Sequence, residues 1–94
     1  MNIRRLVLDV DKAMARPSLV AIAEAISAVP GTAALNITVT EIDVETVGMD
    51  IAIEGQDLDY DALAKAIEGA GAVVHSIDEL AAGDRVVPYV PRAR

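Results

Sequence analysis

Cysteine is absent from this chain, and so are tryptophan and phenylalanine; two tyrosines and one histidine are its only aromatic rings. Without cysteine there is no disulfide, no thiolate metal site, no cysteine nucleophile and no Cys-x-x-Cys metal carrier. A single histidine, His75, cannot complete a tetrahedral zinc site within one chain, so a ligand role for it needs neighbours from another subunit. On an alternating strand beside Val73 and Ile77, it reads more simply as a half-buried ring. No apolar run reaches the length of a membrane span. The first residues pass straight into an alternating strand with no secretory h-region, so a cytoplasmic location is expected. Glycine is scattered at Gly31, Gly48, Gly55, Gly69, Gly71 and Gly83, which leaves no phosphate-cradling loop.

With 94 residues, 53% of them apolar but almost none aromatic, one domain must build its core from Ile, Leu, Val and Ala. Such a core is thin, and further burial between subunits is a reasonable expectation. Eight basic against fifteen acidic residues give a net charge of −7. That balance argues against nucleic acid, whose phosphates call for a basic surface. The charge is uneven: Arg4, Arg5, Arg85, Arg92 and Arg94 lie near the ends, whereas Glu41 to Asp61 holds eight acids and no base. This is either a solvated acidic face or the donor side of a cation or subunit contact.

The stretch from Ala34 to Glu54 organises the rest. Leu35, Ile37 and Val39 alternate with Asn36, Thr38 and Thr40, and Met49, Ile51 and Ile53 alternate with Asp50, Ala52 and Glu54. Joined by the charged segment Glu41 to Thr46, the two form a β-hairpin. Before it, Ile3 to Val10 reads as a strand with Leu6, Leu8 and Val10 on one face. Between the two, Pro17-Ser18 opens a helix with Leu19, Ile22, Ala23, Ile26 and Val29 on its buried stripe, and Pro30-Gly31 stops it. After the hairpin, Asp59 caps a second helix, Leu58 staples onto Leu63, and Leu63, Ile67 and Ala70 form the inner stripe. Ala72 to about Leu80 is the last strand, with Val73 and Ile77 expected to point inward.

The order βαββαβ, with right-handed crossovers, gives an α+β ferredoxin-like sandwich. Its antiparallel four-stranded sheet has the order 4-1-3-2, with two helices on one face. Residues 1–82 make that domain. Residues 83–94 form a C-terminal tail whose Val86-Val87-Pro88-Tyr89-Val90 segment is either frayed or an oligomerisation arm.

Chemistry is expected on the uncovered sheet face. Strands one and three, taken as parallel neighbours, bring Asp9 and Glu54 to the same end, with Asn36 opposite Glu54 and Asp11 overhanging. Asp9, Asp11 and Glu54 are thus candidate oxygen ligands for a hard cation such as Ca²⁺ or Mg²⁺, or simply a solvated acidic end. At the other end, Arg5 is expected beside Asp78, with Asp50 close, as a cross-strand ion pair. No catalytic or organic-cofactor motif emerges. Arg16 and Asn36 only loosely echo the arginine and asparagine that acylphosphatases use on this fold, and no glycine-rich cradle surrounds Arg16.

Four segments carry a resemblance. They are Asn2 to Val10, Leu35 to Asp43 with Glu45-Thr46, Ile53-Glu54-Gly55 with Leu58-Asp59-Tyr60, and Val74 to Glu79. Together they resemble the small, mainly archaeal family called domain of unknown function 211. The resemblance implies a ferredoxin-like subunit that assembles into rings or larger closed oligomers. It also implies no assigned reaction and an association with a divalent ion such as Ca²⁺. Two departures stand out: Asp11-Lys12-Ala13-Met14 in place of a Pro-rich first loop, and a tail that runs past the family's usual end. The expected function is a non-enzymatic, ring-forming homo-oligomer, hexameric or larger, which binds a divalent cation on an acidic face or between subunits. The alternative is a small-molecule-sensing module like the amino-acid-binding regulatory domains of this fold, although the glycine such domains place in the first loop is missing.

Overall fold

The computed structural model describes residues 1–91, so the last three residues of the 83–94 tail lie outside the described residues. The element order is β1 (Ile3–Ala13), α1 (Leu19–Ser27), β2 (Thr32–Ile42), β3 (Thr46–Gly55), α2 (Tyr60–Ala70) and β4 (Val73–Ala82). All strand pairs are antiparallel and the sheet order is β2-β3-β1-β4. This is the ferredoxin-like α+β sandwich expected from the sequence.

Each helix begins where its capping residue dictates. The Ser18 hydroxyl accepts a hydrogen bond from the amide of Ala21 at 3.0 Å, and the Asp59 carboxylate accepts one from the amide of Ala62 at 3.1 Å. Asp61 then sits in the first turn of α2, where the helix dipole favours an anion. Gly71 ends α2 in the left-handed region, φ 105°, which a side chain would strain. Buried Ile22 and Ile26 of α1, and Leu63 and Ile67 of α2, press on Leu6, Leu8 and Val10 of β1 and Met49, Ile51 and Ile53 of β3. Leu58 is buried with them, as a staple should be. Among the described residues the buried core holds no aromatic ring, and Tyr60 packs against its edge.

One junction fixes how the first helix hands over to the sheet. Gly31 has φ 93°, and its carbonyl accepts the amide of Gln56 at 3.0 Å. A Cβ on Gly55 would sit 1.9 Å from that same carbonyl oxygen. The two backbones touch because neither residue has a side chain.

Three expectations need correction. The hairpin and β1 run further than the apolar alternation: β2 continues to Ile42, β3 starts at Thr46, and β1 reaches Ala13 opposite Thr46. Backbone pairing carries the strands through Glu41, Asp11 and Lys12, because a ladder needs amides and carbonyls rather than apolar side chains. The second correction is in β4. Its residues opposite Leu6, Leu8 and Val10 are Leu80, Ile77 and Val74, spaced by three because Asp78 and His75 are extra residues at bulges. Val74 therefore packs on the core, whereas Val73 lies on the opposite face beside Asp11 and is exposed. Ile77 keeps the helix side but is half covered at the sheet edge, with 43% of it exposed. Third, His75 is exposed rather than half-buried.

Candidate functional site

Helices cover one face of the sheet, and the other face is a ruled surface of cross-strand rows. From β2 to β4 the first row is Ala34, Glu54, Arg5 and Ala81; the second is Asn36, Ala52, Val7 and Glu79. The third is Thr38, Asp50, Asp9 and Ser76, and the fourth Glu41, Gly48, Asp11 and Val73.

This register overturns the parallel arrangement of β1 and β3 on which the candidate ligand set rested. β1 and β3 are antiparallel, because one hairpin turn separates β3 from β2, which runs parallel to β1. Glu54 is therefore opposite Arg5, four residues along β1 from Asp9, and Asp50 takes its place opposite Asp9. Asn36 faces Ala52 instead of Glu54, and its side-chain oxygen accepts the Thr38 hydroxyl at 2.7 Å. Asp9 and Asp11 stay on one face of β1, two rows in succession, and Glu54 belongs to a different cluster.

That other cluster is centred on Arg5. Its guanidinium donates to Glu79 at 3.1 Å through Nε and to Glu54 through Nη1. Asp78, expected beside Arg5, instead accepts the hydroxyl of Ser76 at 2.7 Å. One arginine thus neutralises acids from both neighbouring strands, with its own side chain only 27% exposed. The planar fork suits two carboxylates better than a lysine would.

Around Asp9 the charge is uncompensated. Asp9 and Asp50 face each other across the ladder with Thr38 and Ser76 beyond them, and neither carboxylate has an ion-pair partner among the described residues. Gly48 leaves room in the next row for the Asp11 carboxylate, whose Oδ1 lies 3.4 Å from where a Gly48 Cβ would be. The same point is 3.6 Å from Cβ of Glu41 and 3.8 Å from the Thr40 hydroxyl. These are hard oxygen donors of the kind Ca²⁺ and Mg²⁺ take. Still, among the described residues no three carboxylates or imidazoles converge closely enough to hold an ion. One chain alone does not fit a resident cation; a full donor set would have to be shared between subunits.

Asp50 and the bulge residues His75 and Asp78 were the site features the sequence reading missed or misplaced. Counting strand directions through the hairpin moves Glu54 away from Asp9's end, and the register then sets Asp50 opposite Asp9. The bulges had no comparable signal.

Among the described residues no helix is long and apolar enough to cross a membrane. A model of the family described as DUF211, uncharacterised ArCR, matches residues 4–94. The match runs through the last twelve residues, so the tail lies within the family's extent and not past it. An uncharacterised protein of the archaeon Methanocaldococcus jannaschii is 40% identical over 89 residues, which cover 95% of this chain and 91% of that relative.

Proposed function

The chain belongs to this family of uncharacterised function, and from that premise we propose that it works as a non-enzymatic, self-associating subunit. The assembly is a closed homo-oligomer, hexameric or larger, in the cytoplasm, with neither nucleic acid nor membrane as partner. The observation that carries the reading is the pair of open sheet edges. Among the described residues β2 and β4 are each paired on one side only, and Val39, Ile42, Val73, Ile77 and Leu80 stand exposed along them. Long unpaired edges with apolar side chains attract other strands, and a closed ring is the arrangement that covers them without open-ended growth. The thin aliphatic core favours the same outcome, since burial between subunits supplements it.

The chemistry of the open face argues against catalysis. Its groups are carboxylates, an amide, hydroxyls and one doubly paired arginine, and the single imidazole is exposed on an edge strand. A divalent cation such as Ca²⁺ or Mg²⁺ is the second component. The facing carboxylates of Asp9 and Asp50, with Asp11 in the next row, would supply part of a coordination shell, and a neighbouring subunit the remainder.

Native mass measured by light scattering, first with calcium and then with a chelator, tests both components. A large assembly that dissociates on chelation supports the ring and an ion between subunits. A large assembly indifferent to chelation keeps the ring and removes the ion. A monomer under both conditions refutes the proposal.

A further inference from the structure

An open groove runs between α1 and the outer strand β2, floored by Leu35 and Ile37 and walled by Leu19, Val20 and Ala23. Val20 is 66% exposed there, whereas Leu19, Ile22 and Ile26 of the same helix pack on the core. The lip of the groove is the free edge of β2. Between Ala34 and Val39 the ladder with β3 is regular, and the register shifts fall only outside those residues. β4 differs, since bulges at His75 and Asp78 break its line. A straight edge accepts an added strand, and a bulged one resists it.

The tail has the matching chemistry. After β4, Val86 lines a shallow hollow with Ala33, Glu54, Gly55 and Gln56, at the β2 end of the sheet. Beyond it Val87, Tyr89 and Val90 project from their own subunit, Tyr89 with 74% of its surface exposed. The two prolines set the phase in which this segment can pair. If Val87 and Tyr89 turn their amides to β2, Pro88 and its missing donor face solvent, where a strand tolerates proline. In that phase Val87 and Tyr89 also share one face, directed at α1, and Pro91 ends the pairing. Charge agrees with the fit. The last eleven residues carry Arg85, Arg92 and Arg94 against Asp84, whereas the end of β2 and the connection after it carry Glu41, Asp43 and Glu45 with no base.

We infer that the Val87–Pro91 arm of a second copy of this chain docks in the α1–β2 groove as an added strand, with Val87 and Tyr89 filling it. The contact is heterologous, each subunit giving an arm on one side and receiving one on the other, which is the contact type that closes rings. It rests on the self-association proposed above and names the surface that performs it.

Because the chain has no cysteine, engineered thiols report the contact cleanly. The full chain is made as Val20→Cys, as Tyr89→Cys, and as the two co-expressed, then oxidised and run without reductant. A disulfide-linked dimer in the co-expressed sample alone, with the 20–89 bond found by peptide mass, is the expected result. In the double variant the same bond should extend into a ladder of multimers. A wild-type assembly of normal mass with no 20–89 bond, or a 20–89 bond only within one chain, overturns the arm while leaving self-association standing. A monomeric wild type overturns both. As a second readout, Val87→Asp with Tyr89→Asp in the full chain should lower the native mass without changing the circular dichroism of the fold. An unchanged native mass overturns the inference.

Discussion

Asp9 and Asp50 are direct cross-strand partners at the centre of the uncovered sheet face, carboxylate against carboxylate, with no cation paired to either among the described residues. Like charges directly opposite in a ladder destabilise it. A sheet that carries such a pair on its most regular strands is less stable than its sequence could make it. The pair is also a place where an added positive charge gains most.

The first prediction follows from that repulsion. In chelator, Asp50→Asn should stabilise the chain by about 0.2–1 kcal/mol at low ionic strength, and the gain should shrink as salt screens the wild-type pair. Urea melts at two salt concentrations measure it. With Ca²⁺ added, the wild type should rise in melting temperature and Asp50→Asn should not. Equal calcium shifts in both would remove Asp50 from any cation site.

Arg5 is the counterweight. It holds Glu54 from β3 and Glu79 from β4, so its removal leaves two acids beside an already acidic face. Arg5→Met keeps much of the apolar stem and should still cost about 1 kcal/mol, a modest figure because Glu54 is more than half exposed. Arg5→Lys should recover only part of it, since an ammonium cannot fork between both partners. An unchanged urea midpoint for Arg5→Met would mean that the two ion pairs have no energetic role.

The sharpest destabilisation is expected at the glycine contact. Gly55→Ala drives a methyl group into the Gly31 carbonyl, and backbone, unlike a flexible side chain, cannot step aside. The change should cost more than about 3 kcal/mol, in the upper range for a single substitution. Gly69→Ala is the control: among the described residues nothing outside its own helix lies within 4 Å of its would-be Cβ, and it should gain up to about 1 kcal/mol from helix propensity. Thermal melts of the two variants should therefore move in opposite directions.

The elements were legible because their signals are local. Period-2 runs such as Leu6, Leu8 and Val10, the caps Ser18 and Asp59, and the Leu58–Leu63 staple each act within a few residues, and the structure uses all of them. The face pattern of β4 was not legible. Its two extra residues, His75 and Asp78, shift the phase of everything between Val74 and Leu80, and an inserted residue looks like any other in a sequence. The candidate site failed for a different reason. Which carboxylate meets Asp9 depends on strand direction, and reversing β3 exchanges Glu54 for Asp50 with no change in either strand's own pattern. Long-range register is thus the information that side-chain periodicity does not contain.

Thr32 tests whether the groove is an interface at all. Its hydroxyl is buried at the start of β2, on the lip of the α1–β2 groove, without a hydrogen-bond partner among the described residues. In an isolated subunit Thr32→Val removes an unpaired polar group, keeps the branched shape and leaves the backbone bond from its amide to Val29 intact, so stability should rise by about 1 kcal/mol. Thr32→Ser keeps the hydroxyl but loses the methyl group and should fall. In the assembled protein the sign inverts if docking opens the start of β2: a neighbour's arm lying along β2 would then bring carbonyls to the hydroxyl, and valine would forfeit a bond. Measuring both variants at subunit concentrations above and below the assembly threshold separates the cases. A gain for valine at low concentration that becomes a loss at high concentration would place the missing partner on another subunit. A gain at both would make Thr32 an unpaid cost of the monomer's own packing and would remove this hydroxyl from the interface.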